Sequence, residues 1–197
     1  MILPFKNEFK TTKFPFYVIE GIDGSGKSSL GPLVAESIDA SFHEYPIAFK
    51  PAINIIDEKA SPEARFMFYM GYNVQTSHDV SLLAQEGPVV CVRYLYSTMV
   101  YHLIKGVNEK MVFDIAKSTP LLRPDIVFFL DVSDQKVHIE RLKERGVLAE
   151  DNRVLEKMNE IRHTYFRLAP IMPNFTPIDT SYMSKSEVIN AIVKSII

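Results

Sequence analysis

Apolar residues fall along this chain in two rhythms. Short unbroken runs, Phe16-Tyr17-Val18-Ile19, Val89-Val90-Cys91-Val92 and Asp125-Ile126-Val127-Phe128-Phe129-Leu130, have the length and β-prone composition of strands covered on both faces. Weaker runs at Ser41-Phe42-His43 and near Phe175–Ile178 read the same way. Between them apolar residues recur every three or four positions, the helical rhythm. Leu30, Leu33, Val34 and Ile38 share one face; a long helix over 62–85 opens with Ser61 as N-cap and Pro62 behind it. Further helices are expected over 95–105, 108–118, from a Ser133 cap to about Arg145, and over 152–168. The last begins with the capping box Ser184…Glu187 and aligns Val188, Ile189, Ile192, Val193 and Ile196. Pro32, past the first turn of its helix, predicts a kink or an irregular second turn there.

Strands alternating with helices imply an α/β fold: an open parallel sheet of five strands, helices on both faces, three layers in all. Such sheets bind ligands at the carboxyl ends of their strands. The loops after Glu20, His43, Val92 and Val132 are therefore the places to look for chemistry.

Composition narrows the field. With 197 residues the chain is expected to form one domain, preceded by a loose extension over residues 1–13. The formal charge of −2 argues against general binding to nucleic acid or to anionic membranes. Cys91 is the single cysteine, which excludes an internal disulfide and a cysteine-rich zinc site. No apolar run has the length of a leader's core or a membrane span, so a cytoplasmic location is expected. The five histidines show no metal-ligand spacing.

Residues Gly21-Ile-Asp23-Gly24-Ser25-Gly26-Lys27-Ser28 carry the pattern G-x-x-x-x-G-K-[ST], with a strand before and an amphipathic helix after. In that context the pattern makes a phosphate cradle. Glycines let successive N–H groups turn inward, the helix aims its positive end at the same point, the lysine adds a full charge and the serine offers an oxygen to Mg²⁺. The nucleotide site is expected from Gly21, Asp23, Gly24, Ser25, Gly26, Lys27, Ser28 and Ser29, with ATP or GTP as ligand and Ser28 on the metal.

The loop residues Glu20-Gly21 and Asp23 resemble those of the thymidylate kinase family, and the resemblance continues along nearly the whole chain. Phe66-Met-Phe68-Tyr-Met-Gly-Tyr72 is similar to that family's L-L-F-x-A-x-R helix, Val92-Arg93-Tyr94 through Ser97, Thr98 and Tyr101 to its D-R-Y-x-x-S-x-x-x-Y segment, and Arg123-Pro124-Asp125 through Asp131-Val132 to its R-P-D strand. Lys143-Glu144-Arg145-Gly146 through Arg153 resembles its lid, shortened to about 141–155, and Ile178-Asp179-Thr180 its segment near adenine.

The resemblance implies a P-loop kinase making dTDP from dTMP with ATP and Mg²⁺, as a homodimer, without nucleic-acid or membrane partners. It implies that Lys27, Arg93, Arg145 and Arg153 neutralise the transferring phosphates, with Arg141 a further lid cation. It places Asp23 near the sugar 3′-hydroxyl, Phe68 on the base, and Glu44, Tyr72, Arg93, Ser97, Thr98 and Tyr101 around the acceptor. No catalytic base is required, because the acceptor phosphate is already a nucleophile. Two family residues are replaced, aspartate by Val92 and arginine by Tyr72, and no arginine follows Pro46. These changes lie on the acceptor side. They leave open a kinase of the same fold with another nucleotide or nucleoside acceptor, and a nucleotide-binding protein with little transfer activity.

Overall fold

The computed structural model describes residues 12–44, 49–144, 146 and 152–196. Five strands form one parallel sheet in the order β2-β3-β1-β4-β5: β1 Phe16–Gly21, β2 Ser41–His43, β3 Val89–Val92, β4 Ile126–Asp131 and β5 Phe175–Asp179. Successive strand residues point to opposite faces, and the core divides accordingly. Phe16, Val18, Val89, Cys91, Val127 and Phe129 pack with α3 (Pro62–Leu83), α4 (Leu95–Ile104), α5 (Glu109–Ser118) and α7 (Asn152–Leu168). Tyr17, Ile19, Val90, Val92, Phe128 and Leu130 pack with α1 (Lys27–Ser37) and α8 (Lys185–Lys194). Each such side chain contributes about 1.5–3 kcal/mol when fully buried. The unbroken apolar runs are thus strands sandwiched between two helical layers.

Asp125 registers the central strands: its carboxylate accepts from Phe16 N–H at 2.7 Å and its own N–H donates to Phe16 C=O at 2.8 Å. Ile19 lies opposite Val92, and Gly21 opposite Leu130. The carboxyl ends of β1, β3 and β4 therefore emerge side by side, and the loops leaving them share one edge.

Several local expectations change. Helix α2, Lys50–Lys59, is not among the expected elements; its apolar face of Ala52, Ile53 and Ile56 is short and only half-buried. Asp134 caps α6 (Gln135–Glu144), accepting from Lys136 and Val137 N–H at 2.8 and 3.1 Å, whereas Ser133 turns its hydroxyl to Asp179. Helix α1 runs unbroken through Pro32. The bond Pro32 cannot make is the one to the Ser28 carbonyl, close to the helix start, so little of the helix is left unsupported. Residues 1–11 of the expected extension lie outside the described residues. No helix among the described residues is long and apolar enough to cross a membrane.

Gly31 shows what holds α1 against the sheet. A Cβ there would meet Val92 Cγ2 at 2.5 Å and Phe42 Cε2 at 2.8 Å. Helix propensity favours Gly31→Ala by about 1 kcal/mol, and overpacking opposes it by about 1–3 kcal/mol. Packing is expected to win, with thermal unfolding of Gly31→Ala several degrees below the parent. A melting point at or above the parent's would show that α1 can move off the sheet freely.

Candidate functional site

Between β1 and α1 the chain makes a turn, Ile22–Ser25, closed by Ser25 N–H on Ile22 C=O at 3.3 Å. Gly24 and Gly26 have φ of +86° and +91°, values that residues with a Cβ adopt only with strain. Gly26 C=O then accepts from Ser29 and Leu30 N–H at 3.0 and 2.9 Å and starts α1. The first turn of a helix presents N–H groups that its own carbonyls cannot reach, at the positive end of its dipole. Ser28 and Ser29 are exposed there, and Ser25 Oγ is buried with no partner among the described residues. Gly21 serves packing, since a Cβ on it would meet Leu130 C=O at 2.5 Å.

Lys27 is buried, and its ammonium donates to Ile22 C=O at 2.9 Å and to Asp23 Oδ1 at 3.2 Å. Burial and the nearby Arg93 lower its pKa to about 8, with Asp23 opposing. Arg93 donates to the same Asp23 oxygen at 2.7 Å and lies over the Tyr101 ring at 5.3 Å. Burial works to raise the Asp23 pKa, but Lys27 and Arg93 outweigh it and hold the carboxyl below its ordinary value. Two cations thus share one carboxylate at the loop.

Arg93 reaches this position because its own backbone is left-handed, φ +64°, with its N–H on Ile19 C=O at 3.1 Å. Such a conformation costs about 1–2 kcal/mol outside glycine and turns the chain sharply off β3. Glu20, fully buried, supports the bend. Its Oε1 accepts from Tyr94 and Ser97 N–H at 3.0 and 3.1 Å, and its Oε2 from the Tyr165 hydroxyl at 3.0 Å. Burial raises its pKa despite those bonds. Val92, at the place of the family's aspartate, faces α1 in the apolar core beside Gly31.

A cavity of about 360 Å³ opens beside Arg93, lined by α4 residues Ser97, Thr98, Tyr101, His102 and neighbouring Lys105, and by Tyr69 and Tyr72 of α3. Of the expected acceptor residues, Tyr72, Arg93, Ser97, Thr98 and Tyr101 meet here. Phe68 and Glu44 do not line it. Phe68 packs on Phe49 and Tyr69, with ring centroids 5.5 Å apart in each pair. Phe68 lies one helical turn before Tyr72, and Phe49 packs against both rings, at 5.5 and 6.1 Å between centroids. Glu44 contributes a backbone carbonyl, which accepts from the Tyr72 hydroxyl at 2.7 Å. Asp57 of α2 and Lys105 also line the cavity and were not singled out from sequence, since neither belongs to a motif.

A second cavity of about 300 Å³ lies on the other side of the loop, against Gly24, Ser25, Gly26 and Ser29. Arg141 and Glu144 of α6 wall it, with Thr180, Met183 and Lys185 opposite. Arg141 donates to Thr180 Oγ1 at 2.9 Å and to Thr180 C=O at 2.6 Å. Arg145 and the side chain of Arg153 lie outside the described residues. Arg162, not picked out from sequence, donates through Nε to both oxygens of Asp131 at 2.9 and 2.8 Å. Among the described residues no cluster of three His, Cys, Asp or Glu could hold a metal alone.

The bend after β3 hangs on Glu20. Glu20→Ala leaves three buried donors without an acceptor, each worth about 1–3 kcal/mol. It is expected to lower the melting point by roughly 10 °C or more, with Glu20→Gln less than half as damaging because Oε1 survives. Equal melting points for parent and Glu20→Ala, read by circular dichroism, would remove this role.

The family model for thymidylate kinase matches residues 19–192. Among curated proteins, a probable thymidylate kinase of Pyrococcus horikoshii is 31% identical over 80% of this chain and 84% of its own. Another, from Methanocaldococcus jannaschii, is 32% identical over 90% and 93%. Among solved structures, the thymidylate kinase of Candida albicans superposes with a TM-score of 0.74 at 20% identity, covering 95% of this chain and 92% of its own. That of Ehrlichia chaffeensis superposes with a TM-score of 0.73 at 16% identity, covering 93% and 99%. With the phosphate loop, the cation pair and the two flanking cavities in place, the chain belongs to the thymidylate kinase family of phosphotransferases.

Proposed function

We propose that this protein transfers the γ-phosphoryl group of ATP to dTMP, giving ADP and dTDP. The observation that carries this reading is the meeting of Lys27 and Arg93 on Asp23, between a cavity beside the phosphate loop and a cavity beside α4. Phosphoryl transfer is mostly positioning and charge neutralisation, and this arrangement supplies both. ATP occupies the cavity walled by Arg141 and Thr180, with its phosphates on the loop. The acceptor occupies the cavity lined by Tyr69, Tyr72 and Thr98, with its phosphate at Arg93. As the phosphates arrive, they replace Asp23 as partner of Arg93 and draw Lys27 away from Ile22 C=O. The attacking oxygen belongs to the acceptor phosphate and needs no base. Tyr101, under the Arg93 guanidinium, stands beside the sugar, and Asp23, once released, is free to accept from its 3′-hydroxyl. Arg145 and Arg153 close on the transferring group from the lid.

The residues suit Mg²⁺ as an ion delivered with ATP. The exposed Ser28 hydroxyl at the start of α1 would hold it, beside the phosphate oxygens of the nucleotide. When bound, the ion neutralises charge on the phosphates. In this reading the chain works as one kinase domain, in the cytoplasm, as a homodimer.

A second reading, the same transfer to another nucleotide or nucleoside, rests on Tyr72. Its hydroxyl is engaged by Glu44 C=O where the family carries a cation, and Lys105 is a cation lining this cavity besides Arg93.

Purified protein with ATP and Mg²⁺ is expected to form ADP when dTMP is added. Turnover with another acceptor but not dTMP would select the second reading, and no acceptor-dependent ADP with any of them would sink both. Lys27→Ala is expected to lower kcat by about 10²–10³. A rate within a few-fold of the parent would contradict the role given to the loop.

A further inference from the structure

His138 of α6 touches the phosphate loop from below. It is nearly buried, and its Nε2 lies 2.7 Å from the Asp23 carbonyl oxygen. A carbonyl only accepts, so Nε2 carries the proton and donates. The same ring packs against Gly24, where a Cβ would meet His138 Cδ2 at 3.2 Å.

The bonded carbonyl has a particular place in the loop. In the turn Ile22–Ser25 the middle peptide joins Asp23 to Gly24, and Gly24 has the positive φ of a type II turn. Rotating that one peptide converts a type II turn into type I with the ends unmoved. Glycine at the third position removes the steric barrier that would otherwise select one form. The peptide is planar and trans, so its C=O and N–H point opposite ways. The form seen here turns the Asp23 carbonyl to α6 and the Gly24 N–H away from it, and the flipped form puts the carbonyl oxygen where that N–H points. An anion resting on the loop attracts the first and repels the second.

We propose that His138 is a positioning residue for the donor nucleotide: its Nε2–H pins the Asp23 carbonyl and so keeps the Gly24 N–H available to phosphate. This rests on the reading of the loop as the seat of the ATP phosphates. Helix α6 is a firm base for such a brace. Asp134 caps it, and one turn beyond His138 its Arg141 is tied to Thr180 across the donor cavity. The loop, α6 and the β5–α8 connection then hold one geometry before nucleotide arrives.

Two substitutions separate the hydrogen bond from the bulk of the ring. His138→Leu keeps volume and loses the donor; His138→Gln restores an N–H at similar reach. By calorimetry His138→Leu is expected to bind ADP about 10-fold more weakly, the size of one net hydrogen bond. Its KM for ATP should rise in parallel, with dTMP affinity within about 2-fold of the parent. His138→Gln is expected to recover to within about 3-fold. Parent-like ADP affinity in His138→Leu would overturn the proposal, as would His138→Gln no better than His138→Leu. Should His138→Leu fail to fold, the ¹⁵N shifts of His138 in the parent decide: protonated Nε2 with and without ADP upholds the brace, and an Nδ1–H tautomer overturns it. A parent that binds ADP but transfers nothing removes the proposed activity and leaves the brace standing; a parent that binds no ADP removes both.

Discussion

One carboxylate, that of Asp23, holds the two cations of this site. Lys27 and Arg93 arrive from different loops and would repel each other in a partly buried place; Asp23 lets them sit within hydrogen-bonding distance of a single oxygen. Such an arrangement is stable without nucleotide yet composed of exchangeable pieces, because phosphate oxygens offer the same cations more negative charge. Burial, and Arg93 after it, lower the Lys27 pKa to about 8 against the pull of Asp23.

The fold makes this meeting possible. Pairing β1 with β3 brings the loop after Gly21 next to the bend at Arg93, and pairing β1 with β4 brings Leu130 under Gly21. Glu20 ties the start of α4, just past the bend, to β1 from inside by taking the backbone N–H groups of Tyr94 and Ser97 and the Tyr165 hydroxyl of α7. A buried acid with three donors is thereby a structural element whose effect is felt at the surface, in the aim of Arg93.

How much of this could be read in the sequence depended on how local the cause was. The strands were legible because burial on two faces demands unbroken apolar runs, and the phosphate loop because its glycines and lysine answer to backbone geometry within a few residues. Helix α2 was not, since its apolar face, Ala52, Ile53 and Ile56, is short and only half-buried. Phe68 was placed on the base by motif, and only the turn of α3 shows that Tyr69 and Tyr72 face the cavity. Ser133 and Asp134 are both good caps by type; the pull of Asp179 on the Ser133 hydroxyl decides between them. His138 and Arg162 gave no signal because their partners, Asp23 and Asp131, lie on other elements, and Lys105 because the cavity it lines is built from several elements. Val92 looked like a loss at the site and is a gain in the core, where it packs on Gly31.

The most direct measurement is a crystal structure with adenosine and thymidine joined through a chain of phosphates. The adenosine should lie by Arg141 and Thr180, the thymidine between Tyr72 and Thr98, and the phosphates should run over the loop from one to the other. Lys27 should have left Ile22 C=O, and Arg93 should have exchanged Asp23 for a phosphate. Phosphates seated elsewhere, with Lys27 and Arg93 still on Asp23, would contradict the partner exchange on which this site is built.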